Sequence, residues 1–178
     1  MYFIGIVPPD DYLNRVQEFQ RKWIQPLGVE PHITLKAQGG LTDDLNWLKN
    51  IETICKNFKP FQISLGKPTY FGENILYLSV HSDQIRNLHE LIVKSVKPTP
   101  EQIKQYFELD QYVPHLTLGK ESYGSNISSG ISKAQLTEME EIASTALCPY
   151  PTFDVNFVRV YELKDQRYVP LTDLPLGK

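Results

Sequence analysis

The sequence predicts an α+β fold built on antiparallel sheets. Three observations carry that expectation. Short runs with two-residue alternation of apolar side chains trade places with longer runs at helical spacing, and turn signals join several of the short runs into hairpins. There is no GxGxxG and no GxxxxGK[ST], so a parallel dinucleotide-binding or Walker-type fold has no support. The segment Pro31-His32-Ile33-Thr34-Leu35 returns as Pro114-His115-Leu116-Thr117-Leu118, eighty-three positions later, so the chain reads as a degenerate internal duplication.

Taken in order, residues 2–7 form a strand that ends at Pro8-Pro9. Asp10 and Asp11 suit a helix start, where carboxylates meet the positive end of the dipole, and Leu13, Val16, Phe19 and Trp23 carry the apolar face towards Gly28. A strand over 31–36 and a Gly-Gly turn follow. Thr42 is placed as the cap of a second helix with Leu45, Leu48, Ile51, Ile54 and Cys55 on one face. Residues 61–65 alternate as a strand, and 69–71 with 75–80 read as a hairpin around Gly72-Glu73-Asn74. Asp83 is placed as the cap of a helix to Val96, which Pro98-Thr99-Pro100 stops. A short helix is placed within 101–112, a strand over 115–119, and a loop over the Ser/Gly/Asn-rich 122–130. A helix from Lys133 to Leu147, one strand over 153–163 and another over 167–171 complete the order. The segment from Thr172 is taken as irregular.

The length of 178 residues suits one substantial domain, or two small lobes on one core. A net charge of −3 argues against a broad surface for duplex DNA but leaves room for a small nucleotide or an RNA end. No apolar run is long enough for a membrane span, and the first residues lack a basic signal-peptide start. Cys55 and Cys148 have no metal-ligand spacing and are taken as reduced thiols of a cytoplasmic protein.

The duplicated pentapeptide is the chemical signal. Side chains alternate across a strand, so His32 and Thr34 share one face while Ile33 and Leu35 share the other, and His115, Thr117, Leu116 and Leu118 repeat the pattern. Two imidazoles in one cleft can serve as general base and general acid on opposite sides of a phosphodiester or cyclic phosphate. Two threonine hydroxyls can donate to the charge developing on the non-bridging oxygens. A single such pentapeptide is ordinary strand sequence. Packing alone does not ask for the same polar pair at the same offset twice.

The two His-x-Thr-Leu motifs resemble those of the 2H phosphoesterase superfamily, which includes 2′-5′ RNA ligase-like proteins and RNA cyclic phosphodiesterases. Residues 2–8, 32–36, 115–120 and 157–163 each resemble a segment of that family, with Lys120 where arginine is frequent. The resemblance implies a single bilobal domain over 1–178. Each of its two pseudo-symmetric lobes is expected to be an antiparallel sheet with helices on its outer face, the two flanking a central cleft. It implies metal-independent hydrolysis of 2′,3′-cyclic phosphates of RNA ends or nucleotides, commonly to a 2′-phosphate, with no cofactor and acting as a monomer. His32, Thr34, His115 and Thr117 match the catalytic positions one for one. The alternatives are 2′-5′ ligation or 2′-5′ phosphodiester cleavage, and a binding module that turns nothing over.

Three further residues are candidates for substrate binding. Lys36 lies four positions after His32, which in a regular strand is the cleft face. Lys120 offers a point charge to phosphate rather than the two-pronged grip of arginine. Tyr123 sits where it could stack on a base. Gly119 is expected to leave room for substrate, while His81 and His89 are read as surface or structural.

Overall fold

The protein, described by a computed structural model over residues 1–121 and 130–177, starts with β1 (Tyr2–Ile6) and α1 (Asp10–Gln20). There follow β2 (Ile33–Lys36), α2 (Leu48–Asn57), β3 (Phe61–Phe71), β4 (Ile75–His81), α3 (Ile85–Val96) and α4 (Pro100–Gln105). A 3-10 turn at Leu109–Gln111 precedes β5 (His115–Lys120), α5 (Lys133–Ala146), β6 (Thr152–Val155), β7 (Phe157–Lys164) and β8 (Arg167–Pro175). All eight strands join one antiparallel sheet in the order β6-β3-β4-β5-β2-β1-β7-β8. The α+β class and the antiparallel pairing are therefore as expected.

The sheet divides into two four-stranded halves, β6-β3-β4-β5 and β2-β1-β7-β8, that meet where the two motif strands lie side by side. One residue pair, Ile33 with Leu116, registers that seam. The halves are not the two halves of the sequence. The segment 61–155 supplies one of them, while the other draws on both 2–36 and 157–175. The helices cross over as well: α1 and α5 pack on the β5 half, and α2 and α3 lie behind β2 and β8. Ile4, Ile33, Leu35, Leu88, Ile92, Leu116, Leu118 and Met139 belong to one continuous buried core under both halves.

Several elements depart from the sequence reading for local reasons. Residues 61–71 are one strand, because an irregularity between Leu65 and Pro68 lets the proline sit in the ladder without a lost partner. Residues 153–163 are two strands broken at Asn156, with β6 pairing to β3 and β7 to β1. One residue thus links strands near opposite ends of the strand order, so the sheet curls until its ends approach. The segment after Thr172 is ordered strand out to Pro175, and the two prolines of β8, Pro170 and Pro175, are tolerated because β8 is an edge. The second helix starts only at Leu48. Asp44 accepts from the Thr42 hydroxyl and the Asn46 N–H, making a turn that leaves Leu45 at φ 56°. The first helix ends at Gln20, short of Trp23, and Asp83 makes no cap, since the α3 cap position is Gln84. Thr99 and Ser132 cap α4 and α5 through reciprocal boxes with Gln102 and Gln135.

Candidate active site

Across the seam, the Ile33–Leu116 pair has its side chains in the core. One step further in the same antiparallel register sets His32 opposite Thr117, and Thr34 opposite His115. Each histidine therefore faces the threonine of the other half. Two cavities flank the seam and divide these residues the same way. One, of about 370 Å³, has Thr34 and His115 in its wall. The other, of about 340 Å³, has His32, Thr117, Lys120 and also His115. The four motif residues are brought together.

The imidazoles are held alike. His32 Nδ1 lies 2.8 Å from the Glu30 carbonyl and His115 Nδ1 lies 2.7 Å from the Val113 carbonyl, each two residues back and each across a proline. A carbonyl only accepts, so Nδ1 carries the proton and the neutral ring keeps its Nε2 lone pair. Aromatic rings make the floor beneath them. His32 lies 4.7 Å from Phe3, which stacks on Tyr161 at 4.4 Å. His115 meets the edge of Phe71 at 4.9 Å, and Phe71 stacks on Tyr77. Burial in this setting lowers both imidazoles below their usual 6.5. The bond to the Glu30 carbonyl pulls His32 back up and the neighbouring His115 pushes it down. Both rings are therefore neutral at pH 7 in the free protein.

Both motif strands carry a β-bulge at the same place. In β2 the register with β1 slips by one at Leu35, so Lys36 falls opposite Ile4, a core residue. In β5 the register with β4 slips at Leu118, so Gly119 falls opposite the buried Leu76. A bulge resets alternation. That overturns the expectation for Lys36, and it explains how Gly119 can line the second cavity while its missing side chain is turned away from it. Lys36 faces the core, fully buried. Its three ammonium donors go to the Ala37 carbonyl at 2.8 Å, the Gly39 carbonyl at 2.6 Å and Glu108 Oε1 at 2.8 Å, leaving none for phosphate. Gly119 makes room for α5, since a Cβ there would lie 2.8 Å from Met139 Sδ. Lys120, after the bulge, returns to the cleft face, where burial lowers its ammonium below the usual range. Tyr123 lies outside the described residues.

Sequence reasoning passed over Gln20 and Tyr112, and read His89 as surface or structural without seeing that all three secure these bulges. Gln20, from α1, donates to the carbonyls of Thr117 and Leu118 at 3.2 and 3.1 Å. In the other half Tyr112 donates to the Thr34 carbonyl at 2.9 Å and His89 Nδ1 to the Leu35 carbonyl at 2.7 Å. His89 Nε2 accepts the Leu109 N–H, so both ring nitrogens are used by a neutral imidazole. Burial is the main reason its pKa falls to about 4. The signal was present in the sequence. Gln20 continues the stripe of Leu13, Val16 and Phe19, and His89 shares one with Ile85, Leu88 and Ile92. A polar residue on an apolar stripe needs a partner. Glu30 is steadied in turn, because its Oε1 accepts from Tyr161 and Arg159, and Arg159 grips Asp173 with two bonds.

Among the described residues no three His, Cys, Asp or Glu side chains group as metal ligands, and no helix is long and apolar enough to cross a membrane. Cys55 is buried and Cys148 exposed, both as free thiols.

Comparison with solved structures finds this fold elsewhere. TT0787 of Thermus thermophilus superposes with a TM-score of 0.64 at 16% identity, covering 99% of this chain and 98% of that one. E. coli LigT complexed with NADP+ gives 0.59 at 15%, covering 99% and 97%. The same protein complexed with 3′-AMP gives 0.59 at 15%, covering 99% and 98%. No curated protein matches the chain. The family model of the 2′-5′ RNA ligase superfamily matches residues 8–126. That span holds both His-x-Thr motifs and the seam between them, and the chain belongs to the 2′-5′ RNA ligase, or 2H phosphoesterase, superfamily.

Proposed function

We propose that the protein hydrolyses 2′,3′-cyclic phosphates at RNA ends or on nucleotides, by two-histidine acid/base catalysis. The observation that carries this is the crossed pairing at the seam. Each imidazole, its Nδ1–H tied to a carbonyl and its Nε2 without a hydrogen-bond partner among the described residues, stands opposite a threonine of the other half. A phosphate lying over the seam has an imidazole at each end and a hydroxyl donor beside each. One neutral ring takes the proton of the attacking water. The other, protonated, gives its proton to the departing ribose oxygen, and Thr34 and Thr117 donate to the non-bridging oxygens. Lys120 adds a positive charge on one side. The nucleotide complexes of LigT support a nucleotide as substrate.

The test is opening of a nucleoside 2′,3′-cyclic phosphate in excess EDTA, followed by product analysis. His32→Ala and His115→Ala are each expected to lose several orders of magnitude while keeping their circular dichroism. Full activity in either variant refutes the mechanism. The pH profile is expected to be bell-shaped, with the kcat/KM optimum on the acid side of neutrality. Both rings titrate below 6.5, so the rate falls as pH rises and the required acid loses its proton.

A second reading, 2′-5′ ligation or cleavage, draws on the cavities. There is room on both sides of the seam, so a ribose hydroxyl could occupy the place of water. RNA fragments with matched ends, incubated together, distinguish joining from hydrolysis.

A further inference from the structure

The cavity walled by Thr34 and His115 contains a carboxylate that acid/base chemistry does not use. Glu108 is 3% exposed and forms part of the wall that also holds Thr34, His115, Phe71, Tyr106 and Phe107. Its Oε1 is saturated, accepting from the Lys36 ammonium at 2.8 Å and the Ala37 N–H at 3.1 Å. Its Oε2 has no hydrogen-bond partner among the described residues. A buried carboxylate oxygen without a donor is costly. Lys36 holds the group in place, so the oxygen cannot simply turn out to water. Beside it Phe107 is 66% exposed and sits at φ 53°, an unfavourable backbone for a bulky residue. A strained, exposed ring over an apolar cavity next to the reacting centre suits stacking on a flat ligand.

We infer that this cavity is a nucleobase subsite selective for guanine, with Phe107 as a stacking face and Glu108 Oε2 as the acceptor that reads the base. The inference rests on the reading that the seam takes a nucleotide phosphoester. The chemistry of the base edges selects guanine. An oxygen with two lone pairs free accepts best from two adjacent donors, and guanine presents N1–H beside its 2-amino group. Adenine and cytosine place an acceptor nitrogen next to their amino group, and uracil flanks its N–H with two carbonyls. Each of those three brings a lone pair against the carboxylate. Oε2 is closed off from bulk water, so the wall of the cavity must give way for a base edge to reach it. Phe107, two-thirds exposed, has the room to do so. Lys36 thereby acts on recognition at one remove, as the anchor of the group that recognises.

The experiment is equilibrium binding of the four nucleoside 2′-monophosphates, which does not depend on turnover, with the rate on the four 2′,3′-cyclic phosphates measured alongside. Guanosine is expected to bind about ten-fold or more tightly than the others. Phe107→Ala is expected to weaken all four by a similar factor. Glu108→Gln is expected to bring guanosine down to the level of the rest. Because that variant leaves Lys36 buried without its counter-ion, the double variant Lys36→Met/Glu108→Gln is measured too. Equal affinities in the wild-type protein, no binding at all, or guanosine selectivity that survives in both Glu108 variants overturns the inference. Guanosine selectivity without turnover of any cyclic phosphate upholds the subsite and refutes the hydrolytic reading instead.

Discussion

Acid should weaken this protein through His89 before it protonates most carboxylates. His89 is neutral in the fold because both nitrogens are committed and the ring is buried against Tyr112 at 3.7 Å. Burial depresses its pKa most. The Leu35 carbonyl and Glu90 act against that, while Lys36 and Arg86 add to it, and the result is about 4 against 6.5. A depressed imidazole means that the unfolded chain binds more protons, so stability falls as pH drops through 6.5 towards 4. The difference between the two titrations is worth about 0.2 kcal/mol at pH 7, about 2 kcal/mol at pH 5 and about 3 kcal/mol at pH 4. His32 and His115 titrate in the same direction, so the His89 share needs a reference. Glutamine can keep one donor and one acceptor without taking a charge. Urea unfolding of wild type and His89→Gln at pH 7, 6 and 5 should show the wild type losing about 2 kcal/mol more than the variant over that range. Parallel losses would refute the account of a neutral, doubly bonded His89.

Three further outcomes follow from the bulges and the cleft. Lys36→Met strands the buried Glu108 carboxylate and should cost about 3–5 kcal/mol in unfolding measurements, whereas unchanged stability with a raised KM would return Lys36 to the cleft. Lys120→Met should raise KM for a cyclic phosphate about ten-fold while leaving the melting temperature level or higher, since it removes a partly desolvated cation with no protein partner among the described residues. A simultaneous loss of stability would mark Lys120 as structural. Gly119→Ala drives a methyl against Met139 and should cost about 1–3 kcal/mol, with kcat/KM retained wherever the protein is folded. Lost activity at full stability would show that the missing side chain at 119 makes room for substrate rather than for α5.

The candidate site was legible as far as strand alternation holds. His32, Thr34, His115 and Thr117 lie before the bulges, and two-residue periodicity placed them correctly. Lys36 lies one residue beyond a bulge, and nothing in Leu35-Lys36 announces the slip. The same slip in the second copy is why Lys120, five positions after His115, reaches the cleft. The antiparallel class followed from hairpins and the duplicated strand. The partition into halves did not, because pairing of 2–6 with 157–164 is a long-range event that no local pattern records. Pro175 and Gly177 argued for an irregular segment from Thr172, and only the edge position of β8 accommodates Pro175 within a strand. Gln20, His89 and Tyr112 reach their carbonyls from 97, 54 and 78 residues away. The place of Gln20 and His89 on apolar stripes pointed to burial but not to what they would hold.

The interleaving of the two halves has a consequence for the order of assembly. The half that carries His115 is spelled by the contiguous stretch 61–155, so its strands can close on one another as soon as that stretch leaves the ribosome. The half that carries His32 begins with β1, translated before that stretch, and is completed by β7 and β8, translated after it. Until then β1 and β2 must wait with an apolar edge unpaired, the condition under which nascent chains recruit chaperones. Synthesis at about 5–20 residues per second makes that wait roughly eight to thirty seconds for the 150 or so intervening residues. A chain released early would own one imidazole in place and the other adrift, and the two-sided chemistry would be switched on only by the final strand pairing.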